Sequence, residues 1–294
     1  MYNYILKNRC VMDIYLKLET PLHVGAESEL TRKPIVRLKV NGKYLPVIPA
    51  ESIKGSLRNL AGKLAKTMEF SNPIVNDAVK YHDKDKHEGE NIRKYSSEAE
   101  AQIKEIFSEE QIEELSLDDK LEYYFSLNCP ICRLFGGRGV SAKINFFDAY
   151  PLVNEERKTP KIAAYTSTSI DRNLGVALEG RLYSIEFIEP SKLLRFNLKA
   201  IAENIEPGSN ESMVLARLID CILLDGFTLG GVKSKGFGLM RIDEKNSKIK
   251  IANLILPPRS LDEIKDNVLK ILMKNEKCIE YDLREFTKWL TTHR

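Results

Sequence analysis

The sequence is poor in the features that define several protein classes. No run approaches the roughly eighteen consecutive apolar residues of a membrane span, so we expect no membrane partner. The first residues lack the apolar core and small-residue cleavage site of a secretory signal. Five cysteines, an odd number in 294 residues, suit reduced thiols or a metal site better than a disulfide framework. We therefore expect a cytoplasmic protein.

The positive and negative residues nearly balance in number, but they are unevenly distributed along the chain. A formal net charge of +3 is too small to indicate a nucleic-acid-binding protein by itself. Nine basic residues and one acidic residue lie between Arg32 and Lys66, whereas ten acidic and two basic residues lie between Glu98 and Glu122. This asymmetry favours a protein with one polyanion-binding face. The alternative is an ordinary mixed surface, because neighbours in sequence need not share a face.

The segment from Gly230 to Gly238 is the most informative part of the chain. Glycine permits positive φ and lets backbone N–H groups approach an anion, lysine supplies charge, and an exposed phenylalanine can stack on a base. The segment therefore predicts contact with a nucleic acid, and the alternative is a glycine-rich hairpin turn with solvated lysines. The candidate RNA-binding residues are Gly230, Gly231, Lys233, Ser234, Lys235, Gly236 and Phe237.

Apolar periodicity predicts an α+β fold. Strands are expected at 11–18, 35–40, 44–48, 144–149, 182–188, 194–201, 237–242 and 249–255. The second and third of these strands form a hairpin at Asn41-Gly42. Ser52 is expected to cap a helix that runs to about residue 68, and a second helix is expected at 211–224. Without its insertions, this order is that of a ferredoxin-like, RRM-like fold.

Six segments, taken in this order and spacing, resemble the RAMP superfamily, specifically the backbone subunit of type III CRISPR RNA-guided effector complexes. The segments run from Leu18 to Gly25, Ile48 to Arg58, Cys129 to Gly136, Phe147 to Ala149, Thr168 to Arg172 and Gly230 to Gly238. The resemblance implies an antiviral-defence protein that binds CRISPR RNA and its complementary target RNA. It also implies contacts with other RAMP subunits, with the large and small subunits of the complex, and with stacked copies of itself or of paralogues.

The resemblance and the predicted elements together suggest boundaries along the chain. Residues 1–70 are expected to form the first half of the ferredoxin-like core, and residues 71–142 a large helical insertion. Residues 143–256 supply the second half of the core with a thumb-like hairpin at about 160–183. Residues 257–294 form a C-terminal helical extension, with helices at 260–274 and 279–289. Within the insertion, residues 127–140 are expected to form an irregular loop.

The first predicted helix supplies further candidates for RNA contact. Ser52, Lys54 and Arg58 lie at or just inside its N-terminus, where free N–H groups and the helix dipole favour an anion. Lys54 and Arg58 are four residues apart and share one face. The resemblance implies that this region, with Arg133 of the cysteine-bearing segment, holds the guide RNA backbone. The alternative is a capped amphipathic helix with solvated cations.

The stretch around residues 168–183 resembles the thumb of the family, a hairpin that displaces base pairs of the guide–target duplex held by a neighbouring subunit. The residues expected to act there are Ile170, Arg172, Leu174 and Val176. The alternative is a plain strand that packs its apolar face.

Target cleavage by relatives is thought to use an aspartate two residues before a loop proline, and Arg32 stands at that position before Pro34. Arginine cannot bind a cation or accept a proton at ordinary pH. We therefore expect a binding subunit without cleavage activity, in which His23 is structural. The alternative is an endoribonuclease that uses Mg²⁺ or Mn²⁺ through Glu27 or Glu29. A CRISPR precursor-RNA processing enzyme is a more distant alternative.

One group of residues has the spacing of a zinc site. Cys129 and Cys132 are separated by two residues, and His82 and His87 lie in the same predicted insertion. Two cysteines and two histidines can complete a tetrahedral site, so the sequence predicts a structural zinc with no catalytic role. The alternative is two buried cysteines and two exposed histidines.

Overall fold

The structure is a computed structural model that describes residues 5–26, 32–40, 42–83, 86–87, 91–153, 159–170, 177–274, 276 and 278–292. The α-helices are α1 (Ala50–Ala65), α2 (Pro73–Tyr81), α3 (Ser96–Lys104), α4 (Glu109–Glu113), α5 (Leu117–Asn128), α6 (Pro130–Phe135), α7 (Asn210–Asp225), α8 (Leu261–Ile271) and α9 (Leu283–Thr291). The strands are β1 (Asn8–Leu18), β2 (Arg32–Lys33), β3 (Arg37–Val40), β4 (Lys43–Pro46), β5 (His82–Asp83), β6 (Lys86–His87), β7 (Ile144–Phe146), β8 (Tyr150–Pro151), β9 (Ile162–Ile170), β10 (Ala177–Ile188), β11 (Arg195–Glu203), β12 (Phe227–Thr228), β13 (Leu239–Ile242), β14 (Lys248–Asn253) and β15 (Ile279–Tyr281).

An antiparallel sheet forms the centre of the molecule, with the order β12–β13–β1–β11–β7. β14 also pairs with β1, and β8 with β11. β1 pairs with β11 along most of its length, from Arg9 opposite Glu203 to Lys17 opposite Arg195. The chain order β1, α1, β7, β11, α7, β13 is the strand–helix–strand–strand–helix–strand sequence of a ferredoxin-like fold. The predicted fold class is therefore confirmed.

Helices α1 and α7 pack against one another beside this sheet. Every second residue of β1 is buried, as the period of two of a strand requires when one face meets a core. In α1 the predicted apolar stripe buries Ile53 and Leu57, while Leu60 and Leu64 are half-buried against the core. Burying such a side chain contributes about 1.5–3 kcal/mol, so the stripe fixes which face of α1 is left outward.

A second, smaller sheet carries the long hairpin of β9 and β10. These strands pair antiparallel, and β2 adds to β10 in parallel with Arg32 opposite Ser184. The strand predicted at 182–188 lies within β10, and it therefore belongs to this sheet and not to the core sheet. An isolated bridge between Leu22 and Ile188 joins the end of β10 to the segment after β1.

Residues 130–135 form a helix where an irregular loop was predicted. α6 begins at Pro130, whose fixed φ suits the first helical position. Its apolar residues Ile131, Leu134 and Phe135 are almost fully buried. The turn residues on either side of this segment favoured a loop in the sequence. The short helix forms because it packs against α1 and α7.

The beginning of α1 and the C-terminal segment also differ from expectation. α1 starts at Ala50, so Ser52 lies inside the helix and does not cap it. The cap comes from a distant residue, because the Ala50 N–H donates to Asp148 Oδ1 at 2.8 Å. Residues 279–281 form β15, which pairs with β14, so the predicted helix at 279–289 is correct only from Leu283 onward. No helix in the described ranges is both long and apolar enough to cross a bilayer.

Candidate nucleic-acid cleft and metal centre

A cleft of about 860 Å³ separates the outward face of α1 from the glycine-rich segment. Its lining includes Ser52, Gly55, Ser56, Asn59 and Lys63 of α1, and Gly226, Thr228, Gly230, Gly231 and Lys233 on the opposite side. The Ser56 hydroxyl donates to the Thr228 carbonyl at 2.6 Å and joins the two walls. Two regions that the sequence proposed separately for RNA contact thus face one cavity. The carboxylates of Glu51 and Asp225 line it as well.

The glycine-rich segment is folded tightly against the segment that follows β1. The Gly231 N–H donates to the His23 carbonyl at 2.8 Å, and the Gly238 N–H donates to the Pro21 carbonyl at 2.8 Å. Gly230 has φ +80°, and a Cβ there would lie 2.3 Å from the His23 carbonyl oxygen. Only glycine is compatible with this approach. These close backbone contacts hold both ends of the loop, and the short 3-10 helix Lys233–Lys235 between them faces outward.

The side chains of this loop divide between solvent and protein. Lys233 and Ser234 are exposed. The Lys235 ammonium donates to the Tyr165 hydroxyl at 3.2 Å and lies over the same ring. Phe237 is half-buried and packs against Tyr165 and Phe187, with ring centroids 6.0 and 5.6 Å apart. Phe237 therefore fixes the loop to the base of the β9–β10 hairpin, a contact that sequence reasoning did not anticipate.

Two of the predicted RNA-contacting arginines have partners inside the protein. Arg58 donates to the Gly136 carbonyl at 2.7 Å. Arg133 forms an ion pair of 2.9 Å with Glu211, whose side chain is only 2% exposed and also meets Lys143. These arginines join α1 and α7 to the region of α6. Lys54 is half-exposed on α1.

Arg32, at the position of the expected cleavage aspartate, binds a buried carboxylate. Its guanidinium lies 2.7 Å from Glu186 Oε1, and the Arg37 guanidinium lies 2.8 Å from Glu186 Oε2. Burial opposes ionisation of Glu186, but the hydrogen bonds from Arg32 and the Ile35 N–H, with the charge of Arg37, lower the pKa of this carboxyl overall. The arrangement attaches β2 to β10.

His23 lies beside this ion pair. Its Nδ1 lies 2.8 Å from the Glu186 carbonyl oxygen, and the side chain is buried. The contact is consistent with the structural role expected from sequence. Glu27 and Glu29, the weak candidates for catalysis, lie outside the described residues. Of the thumb candidates, Arg172, Leu174 and Val176 also lie outside them, and only the backbone of Ile170, the last residue of β9, is described.

The four predicted metal ligands come together in one buried cluster. The ligand atoms of His82, His87, Cys129 and Cys132 all lie within 4.8 Å of one another. His82 Nδ1 is 3.7 Å from Cys129 Sγ and 3.6 Å from Cys132 Sγ. A tetrahedral zinc with ordinary bond lengths separates nitrogen and sulfur ligands by about 3.5 Å. These residues therefore fit a tetrahedral metal ion.

The short hairpin of β5 and β6 and the start of α6 position the cluster. His82 and His87 are opposite each other in the β5–β6 pair, while Cys129 and Cys132 flank the first turn of α6. Gly137 follows closely, since a Cβ there would lie 2.9 Å from Cys132 Sγ. The cluster thus connects the β5–β6 hairpin to α6.

The atoms around the cluster also suit a bound cation. His87 Nδ1 lies 3.1 Å from Glu122 Oε1, which orients the ring, and His87 Nε2 is a buried nitrogen with no hydrogen-bond partner within the described ranges. A carboxylate behind a histidine is the usual support of a metal-binding ring. The hydrogen bond from Cys129 lowers the pKa of Cys132, whereas burial raises the pKa of Cys129. The pair thus favours one thiolate even without a metal.

Comparisons with known proteins place the chain in a family. Among solved structures, the chain is similar to a chain of a "Type IV-B CRISPR Complex", with 14% sequence identity and a TM-score of 0.48 over 87% of this chain and 98% of that one. No curated protein matches the sequence. The model of the RAMP superfamily matches residues 15–241, a range that includes α1, the histidine and cysteine cluster and the glycine-rich loop. The chain therefore belongs to the RAMP superfamily.

Proposed function

We propose that this protein is a guide-RNA-binding subunit of a CRISPR effector complex and that the cleft beside α1 holds the RNA backbone. The observation that carries the proposal is the convergence of α1 and the glycine-rich loop on one cleft of about 860 Å³. Ser52, Ser56 and Asn59 supply neutral hydrogen-bonding groups there, and Lys63 and Lys233 supply positive charge. Such groups recognise phosphate and ribose in any sequence.

The two carboxylates of the cleft affect where the phosphates and the sugars of the RNA can lie. Glu51 and Asp225 line it together with the lysines, so its charge is not uniformly positive. The phosphates are expected beside Lys63 and Lys233, and the sugar groups, whose hydroxyls can donate to carboxylates, beside Glu51 and Asp225. Sequence selection is then left to base pairing between guide and target.

We infer a backbone subunit of the type III kind, stacked head to tail with copies or paralogues and bound to target RNA and to the large and small subunits. The packing of Phe237 against Tyr165 and Phe187 supports a joint role for the glycine-rich loop and the β9–β10 hairpin. A hairpin fixed to the RNA-facing loop can extend over a neighbouring subunit without separating from its own cleft.

We expect this subunit to hold RNA without cleaving it. The ion pair of Arg32 with Glu186 supports this expectation, because it puts a cation where a metal-binding carboxylate would be needed. We further propose that the cluster of His82, His87, Cys129 and Cys132 holds a structural zinc ion. Four protein ligands leave no open coordination position, so this zinc would shape the insertion and take no part in chemistry.

Purification from the native source in mild salt, followed by RNA extraction and sequencing, tests the proposal. We expect spacer-containing CRISPR RNA together with partner proteins. For the recombinant chain, we expect Lys233→Gln to weaken binding of single-stranded RNA and to reduce the salt dependence by about 0.7 in the slope of log K against log salt. Lys288→Gln, on the exposed face of α9, serves as the matched control. Recovery of no RNA, or of RNA unrelated to CRISPR arrays, would reject the function.

A further inference from the structure

Gly55 occupies an unusual position within α1. It lies in the interior of a regular helix, and its φ is not in the positive region that favours glycine. A Cβ built at Gly55 meets no heavy atom within 4 Å. Glycine in a helix interior is less stable than alanine because it loses more backbone freedom on folding. The fold alone therefore gives no reason for glycine at this position.

The second glycine of α1 provides the contrast. A Cβ at Gly62 would lie 3.9 Å from Ile131 Cδ1 and 4.0 Å from His82 Cδ2, which are ordinary packing distances. Gly62 is buried against its own protein, whereas the space beside Gly55 is open. The two glycines of α1 thus differ, because a side chain at Gly62 would contact the protein itself and a side chain at Gly55 would enter open space.

The space beside Gly55 joins two grooves. The cleft described above lies on one side, and a second groove of about 400 Å³ lies on the other. Gly55, Asn59 and Lys63 line both. The second groove runs along α1 as far as Lys66, the residue after the helix, and is also lined by His82 and Asp83 of β5. From Gly55 to Lys66 is about 16 Å along the helix axis.

We propose that the backbone of a single-stranded RNA crosses α1 at Gly55 and continues into the second groove, where Lys63 and Lys66 contact its phosphates. The proposal rests on the proposed function and extends the binding surface toward the metal cluster. A missing Cβ allows a sugar or phosphate to lie directly on the helix. The closer contact with RNA would be the gain that accounts for a glycine here despite its lower helical stability.

The charges of the second groove suit a polyanion. Lys63 and Lys66 are exposed and form no ion pair with any residue in the described ranges. Arg58 lines the groove while its guanidinium donates to the Gly136 carbonyl, so its position is fixed. Asp83 lies at the far end, beside His82. Three cations against one carboxylate favour phosphate over a neutral or cationic ligand.

The effect of Gly55→Ala tests the crossing point, because it has opposite signs for stability and binding. The full-length chain is titrated with a fluorescently labelled oligouridine, and its thermal unfolding is followed without RNA. We expect Gly55→Ala to raise Tm by roughly 2 °C and to weaken RNA binding at least about tenfold, as loss of one charge-assisted contact would. Lys288→Ala, on the exposed face of α9 and outside the lining of both grooves, is the control, with unchanged RNA affinity.

Lys66→Gln tests the second groove independently of α1 packing. We expect the slope of log K against log salt to decrease by about 0.7, the value for one phosphate contact of a single strand. Lys288→Gln should leave it unchanged. If the wild type binds oligouridine and both Gly55→Ala and Lys66→Gln bind as the wild type does, the path along α1 is refuted while the proposed function stands. If the wild type binds no RNA, the proposed function itself fails.

Discussion

Replacing one cysteine of the metal cluster gives the sharpest test of the structure. Cys129→Ser keeps the size of the side chain but removes a thiolate ligand, and serine is not among the usual ligands of zinc. We expect about one zinc ion per chain in the wild type and almost none in the variant. The variant should also unfold at a lower temperature. Zinc that binds the folded state and not the unfolded state stabilises the folded state, and the variant loses this contribution.

The size of the effect follows from how far zinc saturates the folded state. Two nitrogen–sulfur distances of 3.6 and 3.7 Å are close to those of a tetrahedral site, which favours tight binding. Free zinc at about a thousand times the dissociation constant stabilises the folded state by about 4 kcal/mol. For a chain of this size, 1 kcal/mol corresponds to about 2–4 °C in Tm. We therefore expect a difference of at least about 8 °C between zinc-loaded and zinc-free wild type.

The assay is elemental analysis of purified protein combined with thermal unfolding in zinc or in a chelator. Cys278→Ser is the matched control, since Cys278 is partly exposed and lies outside the cluster. It should retain both the metal and the chelator-dependent shift in Tm. A wild type purified and refolded with zinc that holds no metal, and unfolds at the same temperature in chelator, would refute the argument from distances.

Three further predictions concern single side chains. Glu186→Gln should lower the free energy of unfolding at neutral pH by about 1–3 kcal/mol. Because the folded protein lowers the pKa of Glu186 from 4.5, this stabilisation is present above pH 4.5 and is lost as the pH falls further. The urea midpoints of the two proteins should therefore converge in acid, and a difference that persists there would contradict the prediction. Arg58→Gln should lower the free energy of unfolding by about 1–3 kcal/mol because the partly buried carbonyl of Gly136 loses a charged donor, whereas an unchanged urea midpoint would mean that the contact is incidental. Phe237→Ala should cost about 2 kcal/mol in stability, and loss of RNA affinity without loss of stability would indicate base stacking instead.

The core of the fold could be read from the sequence because its signals are local. The alternation in β1 and the apolar stripe of α1 each follow from which face meets the core, and both periods are visible over a single element. The metal cluster could be read for a similar reason. The two-residue spacing of Cys129 and Cys132 is set by one helical turn, and histidines are rare in this chain.

The partners of the charged residues could not be read in the same way. Arg58 and Arg133 carry the same charge as lysines at the cleft, and nothing adjacent to them in sequence indicates that they bind Gly136 and Glu211. These pairs join residues 78 positions apart, and only the folded chain brings them together. The N-terminal cap of α1 is similar, because Asp148 is 98 residues from Ala50. The Phe-Asp-Ala segment was informative as a resemblance, but its role as a cap required the structure.

The internal contact of Arg58 is compatible with an electrostatic role in the proposed binding of RNA. One guanidinium nitrogen donates to Gly136 O, and the other lies 3.8 Å from Cys132 Sγ, yet the same side chain lines the second groove. A charge acts over a Debye length of about 8–10 Å, so in the proposed complex Arg58 would attract phosphates that it does not touch. A zinc ion held by two thiolates and two neutral histidines has no net charge. In the arrangement that we propose, the metal would therefore fix the wall of the groove, while Arg58, Lys63 and Lys66 would supply its attraction for RNA.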